Sequence, residues 1–166
     1  MHNKVAIIPG GAKGIGRDIA LSLADAGWFI ALCYRNSQKE AEETCQNIKS
    51  KGTQSIALNY DISDPNAAQD FVEFVENKWG RIDALINCAG PYHRIGLLEE
   101  TVEGWNEMFD NNLHSLFYLC KAVSTGMIKR EYGRIIAFSM ANADKLSAQP
   151  NITAHYIAKS GIIILV

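Results

Sequence analysis

The sequence lacks the features that mark several classes of protein. Its four cysteines include no CxxC pair, which argues against a disulfide scaffold and favours reduced, mostly buried thiols over a metal or redox site. No apolar run approaches the roughly 20 residues that span a bilayer, so we expect no membrane segment. Sixteen lysines and arginines against eighteen acids leave a net charge of −2 with no basic block, which argues against a nucleic-acid partner.

The remaining composition is that of an ordinary globular protein. Hydrophobic residues make up 48% and charged residues 20% of the 166 residues. No Pro/Ser-rich linker or internal repeat divides the chain, so residues 1–166 are predicted to form a single domain. The first residues lead into too few apolar positions for a secretion signal, and we therefore expect a cytoplasmic protein.

Short β-branched runs alternate with longer amphipathic segments along the chain. The predicted strands are residues 4–9, 28–34, 53–60, 83–87 and 134–138. The predicted helices are residues 14–26, 37–51 and 65–79, with one or two more between 101 and 129. Strands that are apolar on both faces and separated by helices indicate a parallel sheet covered on both sides. We predict a doubly wound, three-layer α/β/α fold of the Rossmann type.

A glycine-rich turn, Gly10-Gly11-Ala12-Lys13-Gly14-Ile15-Gly16, joins the first predicted strand to the first predicted helix. Glycine permits positive φ and close backbone approach, while the free amides at the start of a helix attract a pyrophosphate. In this strand, turn and helix context the motif predicts a dinucleotide-binding domain. The alternative is a purely structural glycine turn.

The end of the second predicted strand indicates which dinucleotide is bound. An enzyme that uses NAD generally carries an acid there for the ribose 2′-hydroxyl, whereas an arginine accommodates a 2′-phosphate. This sequence has Tyr34-Arg35 and no acid, and Lys13 in the turn adds a second cation. NADP(H) is therefore favoured over NAD(H), unless Arg35 and Lys13 are ordinary solvated charges.

With these motifs in place, the sequence resembles the short-chain dehydrogenase/reductase family, and within it the 3-oxoacyl-carrier-protein reductase-like members. The glycine spacing fits the family, Asn87-Cys88-Ala89-Gly90 resembles its Asn-Asn-Ala-Gly, and Lys159-Ser160-Gly161 resembles the stretch that contains its active-site lysine. The resemblance runs from Lys4 to the last residue. Members of the family continue with further strands, so we expect this chain to be truncated at its C-terminus, with an unpaired sheet edge and exposed apolar surface.

The resemblance implies hydride transfer between a nicotinamide and the carbonyl or alcohol of a small molecule such as an acyl thioester. The cofactor-binding residues that it implies are Gly10, Lys13, Gly14, Ile15, Gly16, Arg35, Asp61, Ile62, Asn87, Ala89, Gly90 and Lys159. Among these, Asp61 lies where such proteins contact the adenine. The candidate catalytic residues are Asn112, Ser139, His155, Tyr156 and Lys159. Asn112 resembles the helix asparagine that holds a proton-relay water.

The position of the family's catalytic tyrosine, four residues before the lysine, is His155 in this sequence, and Tyr156 follows it. Both rings can neighbour Lys159 on a helix. A lysine close by would lower the pKa of His155 and leave it largely neutral at pH 7. Impaired proton transfer, rescue by Tyr156 and a working His155 all remain open.

Two further positions depart from the family pattern. Met140 stands where the family has the serine that orients the carbonyl, and Ser139 one residue earlier would face away from the site unless the strand has already ended. Pro9 stands where the family commonly has threonine, and we expect only a small local change from it.

The competing functions are an NADP(H)-linked carbonyl reductase, a nucleotide-binding pseudoenzyme or regulatory partner of a complete family member, and a non-catalytic interaction fragment. The resemblance also implies a homo-oligomer that forms through the helices after the fourth and fifth strands. Leu116, Leu119 and Val123 would then face a partner, or they belong to the core of this chain.

Overall fold

The structure is a computed structural model that describes residues 3–145 and 147–166. Its strands are β1 (Val5–Pro9), β2 (Phe29–Tyr34), β3 (Ser55–Asn59), β4 (Ala84–Asn87) and β5 (Arg134–Ala137). Its helices are α1 (Gly14–Asp25), α2 (Gln38–Ser50), α3 (Pro65–Trp79), α4 (Val102–Phe109), α5 (Ser115–Lys129) and α6 (Thr153–Leu165). A π-helical segment, Asp110–His114, joins α4 to α5. The predicted elements are present, with ends that differ by one or two residues.

The strands form one parallel sheet in the order β3-β2-β1-β4-β5. The chain moves outward from β1 to β3 and then returns to β1's other side with β4. The predicted doubly wound α/β fold is therefore confirmed. This reversal of strand order leaves a crevice at the carboxyl ends of β1 and β4, where ligands bind in such sheets.

The core lies in two layers, one on each face of the sheet, because alternate residues of a strand point to opposite faces. Val5 and Ile7 of β1 belong to the layer under α3 and α5, whereas Ala6 and Ile8 belong to the layer under α1 and α2. All four side chains are buried. The apolar character of both faces of β1 follows from this double coverage.

Leu116, Leu119 and Val123 lie on the face of α5 that packs in the core layer with α3. All three side chains are fully buried within this one chain. Residues three and four apart share one helix face, and that face is turned to the sheet. The interpretation that they face a partner is wrong, and the alternative that they form the core of this chain is correct.

A buried carboxylate ties the start of β1 to the start of β4. Asp83, which is fully buried, accepts hydrogen bonds from the backbone amide of Val5 at 2.9 Å and from Arg81 Nε and Nη2 at 2.8 and 2.5 Å. A buried charge is tolerated when such partners surround it. Arg81 and Asp83 therefore fix the sheet at the end opposite the crevice.

Strand β5 lies at one edge of the sheet and pairs only with β4 among residues 3–145 and 147–166. Ile136 on β5 is half exposed, and Ile164 near the end of α6 is largely exposed. This agrees with the unpaired edge and the exposed apolar surface that the sequence predicts. In the described part of the chain, none of the helices has both the length and the hydropathy to cross a membrane.

Candidate active site

The glycine-rich turn follows β1 and opens α1. A Cβ atom on Gly10 would lie 2.6 Å from the Ala89 amide nitrogen, and one on Gly16 would lie 2.5 Å from the Gly10 carbonyl oxygen. Both positions therefore require glycine, and Gly10 also has a positive φ of 75°. Pro9 remains within β1, and its carbonyl accepts a hydrogen bond from the Cys88 amide at 2.9 Å, so the turn forms beside β4 as expected.

The N-terminus of α1 has no side-chain cap. Lys13 is the N-cap residue, and its side chain makes no capping hydrogen bond. Free amides at a helix N-terminus, together with the positive end of the helix dipole, form an anion site. The space beside Gly14 is open, since no atom lies within 4 Å of a Cβ built there, and Ile15 is largely exposed. These features fit the pyrophosphate of a dinucleotide.

A cleft of about 310 Å³ lies beside this turn, at the carboxyl ends of the strands. Seven of the predicted cofactor residues line it, namely Gly10, Lys13, Arg35, Asp61, Ile62, Ala89 and Gly90. Gly14, Ile15, Gly16, Asn87 and Lys159 are not among its lining residues. The cleft is also lined by Tyr34, Asn36, Tyr60 and Asn111, which were not among the predicted cofactor residues. The first three are chain neighbours of Arg35 or Asp61, so their position after a strand was the available signal.

Arg35 reaches across this cleft to the opposite wall. Its Nη1 lies 3.6 Å from Asp61 Oδ2 and donates to Asn111 Oδ1 at 3.2 Å. Burial by itself would raise the pKa of Asp61, but hydrogen bonds from the Ser63 hydroxyl and amide and the charge of Arg35 outweigh burial and lower that pKa. Asp61 is therefore an anion at neutral pH. Because Arg35 and Asp61 are both almost half exposed, their ion pair is weak and exchangeable.

Gly90, Asn112 and Lys159 come together at the end of β4. A Cβ atom on Gly90 would overlap Asn112 Oδ1 and lie 3.4 Å from Lys159 Nζ. The ammonium of Lys159 donates to the Phe138 carbonyl at 2.9 Å, and burial lowers its pKa. A cationic donor and an amide oxygen thus lie together beside Gly90. Gly90 and Lys159 are 69 positions apart in the sequence, and Asn112 lies between them.

Asn112 is fully buried in the π-helical segment, where π turns commonly mark functional positions. Its Nδ2 donates to the carbonyls of Pro91 at 3.1 Å and Met108 at 3.0 Å. Its Oδ1 has no hydrogen-bond partner among the described residues. A buried acceptor without a partner is costly, so this oxygen is available for a water or a ligand hydroxyl.

His155 is 95% buried on α6, and the ring of Tyr92 meets it edge-on with the ring centroids 5.0 Å apart. Burial is the largest cause that lowers the pKa of His155, followed by the charges of Lys159 and His93, while the Pro91 carbonyl acts in the opposite direction. The imidazole is therefore neutral at neutral pH, as the sequence analysis anticipated from Lys159 alone.

Tyr156 turns away from this group. Its hydroxyl oxygen lies 2.5 Å from the carbonyl oxygens of both Asn142 and Lys145 and 3.4 Å from Ser147 Oγ. A phenol has a single proton to donate, and here two carbonyls compete for it. The geometry gives no support to rescue of proton transfer by Tyr156, whose hydroxyl instead holds the segment after β5 against α6.

Ser139 lies beyond the end of β5, so the alternation of strand side chains no longer decides its direction. Its hydroxyl donates to the Lys159 backbone carbonyl at 2.7 Å. This bond ties the end of β5 to α6 at the level of Lys159. Ser139 therefore helps to hold the lysine in place, and its role towards a substrate carbonyl stays a prediction.

The four cysteines are free thiols, and Cys88 is the one beside the glycine turn. Burial raises the pKa of Cys88 to about 11, although the charge of Lys159 acts in the opposite direction. Burial, with the charge of Asp61, raises the pKa of Cys33 to about 12. Thiols of this kind are protonated and unreactive at neutral pH. Cys33 and Cys45 are buried and Cys88 and Cys120 are partly buried, so the prediction of mostly buried thiols holds for two of the four.

Comparison with known proteins concerns the chain as a whole. The family model described as short chain dehydrogenase matches residues 4–166. The 3-oxoacyl-(acyl-carrier-protein) reductase FabG of Staphylococcus epidermidis is 32% identical over 162 residues, which cover 97% of this chain and 65% of that protein. The 3-oxoacyl-(acyl-carrier-protein) reductase of Synechocystis sp. is 31% identical over 160 residues, covering 96% of this chain and 64% of that protein.

A solved structure of NAD+-bound xylitol dehydrogenase is similar as well, with a TM-score of 0.91 and 29% identity. That match covers 99% of this chain and 62% of the other. The chain therefore spans less than two thirds of the length of each of these three relatives.

Proposed function

The chain belongs to the short-chain dehydrogenase family, and we propose that it binds NADP(H) and transfers a hydride between the nicotinamide and a carbonyl or alcohol carbon. One observation carries the proposal. The unpartnered Asn112 Oδ1 and the Lys159 ammonium lie together beside Gly90, which lines the cleft that begins at the glycine turn. A nucleotide cleft that leads to a donor and a free acceptor has the parts that a hydride-transfer site requires.

The cofactor preference rests on Arg35 and Lys13. The amides of the α1 N-terminus would hold the pyrophosphate, and Arg35 would hold a 2′-phosphate. The present contacts of Arg35 with Asp61 and Asn111 are exposed, so a phosphate dianion can replace them at little cost. NAD(H) remains the less favoured cofactor, although the xylitol dehydrogenase relative is named as NAD+-bound.

The protein supplies the proton chemistry around the hydride that a bound nicotinamide gives or accepts. His155 exchanges a proton with the substrate oxygen, and Lys159 and Asn112 orient the groups beside it. Because burial and the charges of Lys159 and His93 keep His155 neutral, it suits the base that oxidation of an alcohol needs. Reduction of a carbonyl requires the imidazolium, so we expect this direction to be impaired at neutral pH and to become faster as pH falls.

The substrate class is inferred from the relatives. Two of them are named for reduction of a 3-oxoacyl group on acyl-carrier protein. We infer that the substrate is a small carbonyl compound or acyl thioester of this kind, and that the protein acts in the cytoplasm. We also infer a homo-oligomer through the helices after β4 and β5, where Val102, Phe117 and Ile157 are exposed.

Turnover is tested with NADPH and a 3-oxobutyryl thioester, by following the loss of reduced nicotinamide. We expect slow turnover that increases at lower pH and falls at least about 100-fold in Lys159→Ala, since one positioned catalytic group commonly contributes that much. Equal rates for the wild type and the variant would refute the enzyme proposal.

The cofactor is tested by calorimetry with Arg35→Ala. We expect its Kd for NADPH to rise about 10-fold or more and its Kd for NADH to change by less than about 3-fold, because only the 2′-phosphate needs the guanidinium. Equal weakening with both cofactors would contradict a role for Arg35 at the 2′-phosphate.

A second candidate is a nucleotide-binding pseudoenzyme or a regulatory partner of a complete family member. The neutral, buried His155 and the presence of Met140 at the expected serine position favour it. It predicts that NADPH binds with the same dependence on Arg35 while no hydride is transferred at any pH. Calorimetry and the turnover assay together separate the two candidates.

A further inference from the structure

Tyr92, in the loop between β4 and α4, lies against the candidate proton-transfer residue. Its ring and the His155 imidazole meet almost at a right angle, at 87°, with the ring centroids 5.0 Å apart. Tyr92 is 60% exposed, whereas His155 is only 5% exposed. Contact between an exposed ring and a buried ring places the exposed one on the solvent side, so Tyr92 covers the imidazole.

His155 has no hydrogen bond at Nδ1 to fix the direction of its imidazole. This nitrogen is buried and has no partner within residues 3–145 and 147–166. A histidine that moves a proton usually has one ring nitrogen bonded to a fixed acceptor, which sets the orientation of the ring. Aromatic rings prefer edge-to-face contact with centroids about 4.5 to 7 Å apart. The contact with Tyr92 lies in this range and can take the place of that hydrogen bond.

The turn before Tyr92 is itself held in place. Asn112 Nδ2 donates to the Pro91 carbonyl at 3.1 Å, and the proline ring fixes the backbone φ at that residue. Gly90 has a φ of 146°, and a Cβ atom there would overlap Asn112 Oδ1. The path of the chain from Gly90 to Tyr92 is therefore set by the π-helical segment, so the Tyr92 ring meets α6 from a fixed backbone.

We propose that Tyr92 is a positioning residue that holds the His155 imidazole in one orientation and covers it on the solvent side. The ring does this and the phenol hydroxyl takes no part, so phenylalanine can replace tyrosine at this position. The proposal rests on the proposed function in one respect, since it takes His155 as the group that exchanges a proton with substrate. Tyr92 thereby makes the loop after β4 part of the catalytic side of the site.

Diethyl pyrocarbonate reacts with neutral imidazoles, and its rate measures their accessibility without any turnover. The full chain and its variants are treated at about pH 8, where an ordinary histidine is neutral, and the rate at His155 is followed by mass spectrometry of its peptide. Tyr92→Ala should raise this rate at least about 3-fold, since the loss of one aromatic pair shifts the equilibrium between covered and uncovered rings by about that much. Tyr92→Phe should keep the wild-type rate.

Phe117→Ala is the matched control. Phe117 is also exposed, and its ring meets that of Tyr118 edge-on at 61° with the centroids 5.8 Å apart. This variant loses an exposed ring from a similar contact elsewhere, so the rate at His155 should stay unchanged. In the Tyr92 variants, His114 is the reference within each sample, because its side chain is almost half exposed and its rate should not depend on Tyr92.

Two outcomes of the modification experiment would overturn the proposal. One is a Tyr92→Ala rate equal to that of the wild type, and the other is a Tyr92→Phe rate as high as that of Tyr92→Ala. Tyr92→Leu keeps an apolar side chain but has no ring edge, so it should also react faster than the wild type. It keeps the test decisive if Tyr92→Ala does not fold, because a wild-type rate in Tyr92→Leu would contradict positioning by an aromatic ring.

Turnover gives the second measurement. Tyr92→Ala should lower kcat for NADPH-dependent carbonyl reduction several-fold with an unchanged Kd for NADPH, and Tyr92→Phe should restore the wild-type kcat. Lost turnover in Tyr92→Phe would show that the hydroxyl takes part in catalysis and would contradict the proposal. The modification needs no turnover, so an inactive wild type would refute the proposed function and leave the role of Tyr92 to be decided by the modification rates.

Discussion

Replacing Gly16 by alanine tests whether the geometry of the glycine turn controls nucleotide binding. The added Cβ atom would lie 2.5 Å from the Gly10 carbonyl oxygen, 2.9 Å from Gly11 Cα and 3.0 Å from Cys88 Cβ. Carbon atoms in good contact are about 3.5 to 4.0 Å apart. The turn or α1 must therefore move by roughly 1 Å to accept one methyl group.

Two opposing effects determine the change in stability. Alanine inside a helix is favoured over glycine by about 1 kcal/mol, whereas overpacking a close contact typically costs about 1 to 3 kcal/mol. Two of the three crowded atoms are backbone atoms of Gly10 and Gly11, which cannot rotate away as a side chain can. We therefore expect overpacking to prevail and the free energy of unfolding to fall by about 1 to 2 kcal/mol.

Nucleotide binding should suffer more than folding does. The displaced backbone is the one that carries the amides for the pyrophosphate, so we expect the Kd for NADPH to rise at least about 10-fold, equivalent to 1.4 kcal/mol. Urea unfolding measures the stability, and calorimetry measures the Kd.

Gly27→Ala is the control. Gly27 has a positive φ of 79°, but no atom lies within 4 Å of its built Cβ. It should lose about 1 to 2 kcal/mol through backbone strain with no change in Kd. Gly16→Ala with wild-type binding and equal or greater stability would refute the reasoning.

Three further predictions concern single side chains. Tyr156→Phe should lower the free energy of unfolding by about 1 to 3 kcal/mol, because the single proton that the carbonyls of Asn142 and Lys145 share is lost. The pH profile of turnover should stay unchanged; lost turnover at full stability would show instead that the phenol is catalytic. Asp83→Asn should lower the free energy of unfolding by about 2 to 3 kcal/mol. This loss is smaller than that for a fully buried ion pair, because Arg81 is partly exposed. An unchanged midpoint of urea unfolding would contradict the prediction. In the folded chain the pKa of His155 is lowered from its ordinary 6.5. Just below pH 6.5 the unfolded chain therefore binds a proton at His155 that the folded chain does not bind. The stability that comes from the neutral imidazole is lost as pH falls through the lowered pKa. His155→Gln should lose less stability than wild type between about pH 7.5 and about pH 5, and equal losses in urea unfolding would contradict the assignment.

The start of α3 could be predicted because its signals are local. Asp64 accepts hydrogen bonds from the amides of Asn66 and Ala67 at 2.7 and 3.1 Å, and this cap with Pro65 starts α3 where it was expected. The π-helical segment at Asp110–His114 had no such signal, since it depends on contacts that Asn112 makes with Pro91 and Met108. The sequence pattern of residues 101–129 was therefore compatible with one helix or with two.

The catalytic side of the site could be predicted only in part. The spacing of His155, Tyr156 and Lys159 shows that both rings can neighbour the lysine, but the choice between them depends on the rotation of α6. The carbonyls of Asn142 and Lys145 make this choice by binding the Tyr156 hydroxyl. They belong to a segment whose path no local pattern determines.

The sequence by itself determined the α/β architecture, the glycine turn and the presence of a cation after β2. Backbone propensity, apolar periodicity and the freedom of glycine act over a few residues, so their effects can be predicted from order along the chain. The tertiary structure alone decided that the Tyr156 hydroxyl meets the carbonyls of Asn142 and Lys145, which face of α5 is buried, and that Asn112 Oδ1 has no partner among the described residues. These properties arise from contacts between residues that are far apart in the sequence, such as Gly90 and Lys159, which are 69 positions apart. The free energy of such contacts depends on burial and on the direction of each side chain, which only the folded chain defines.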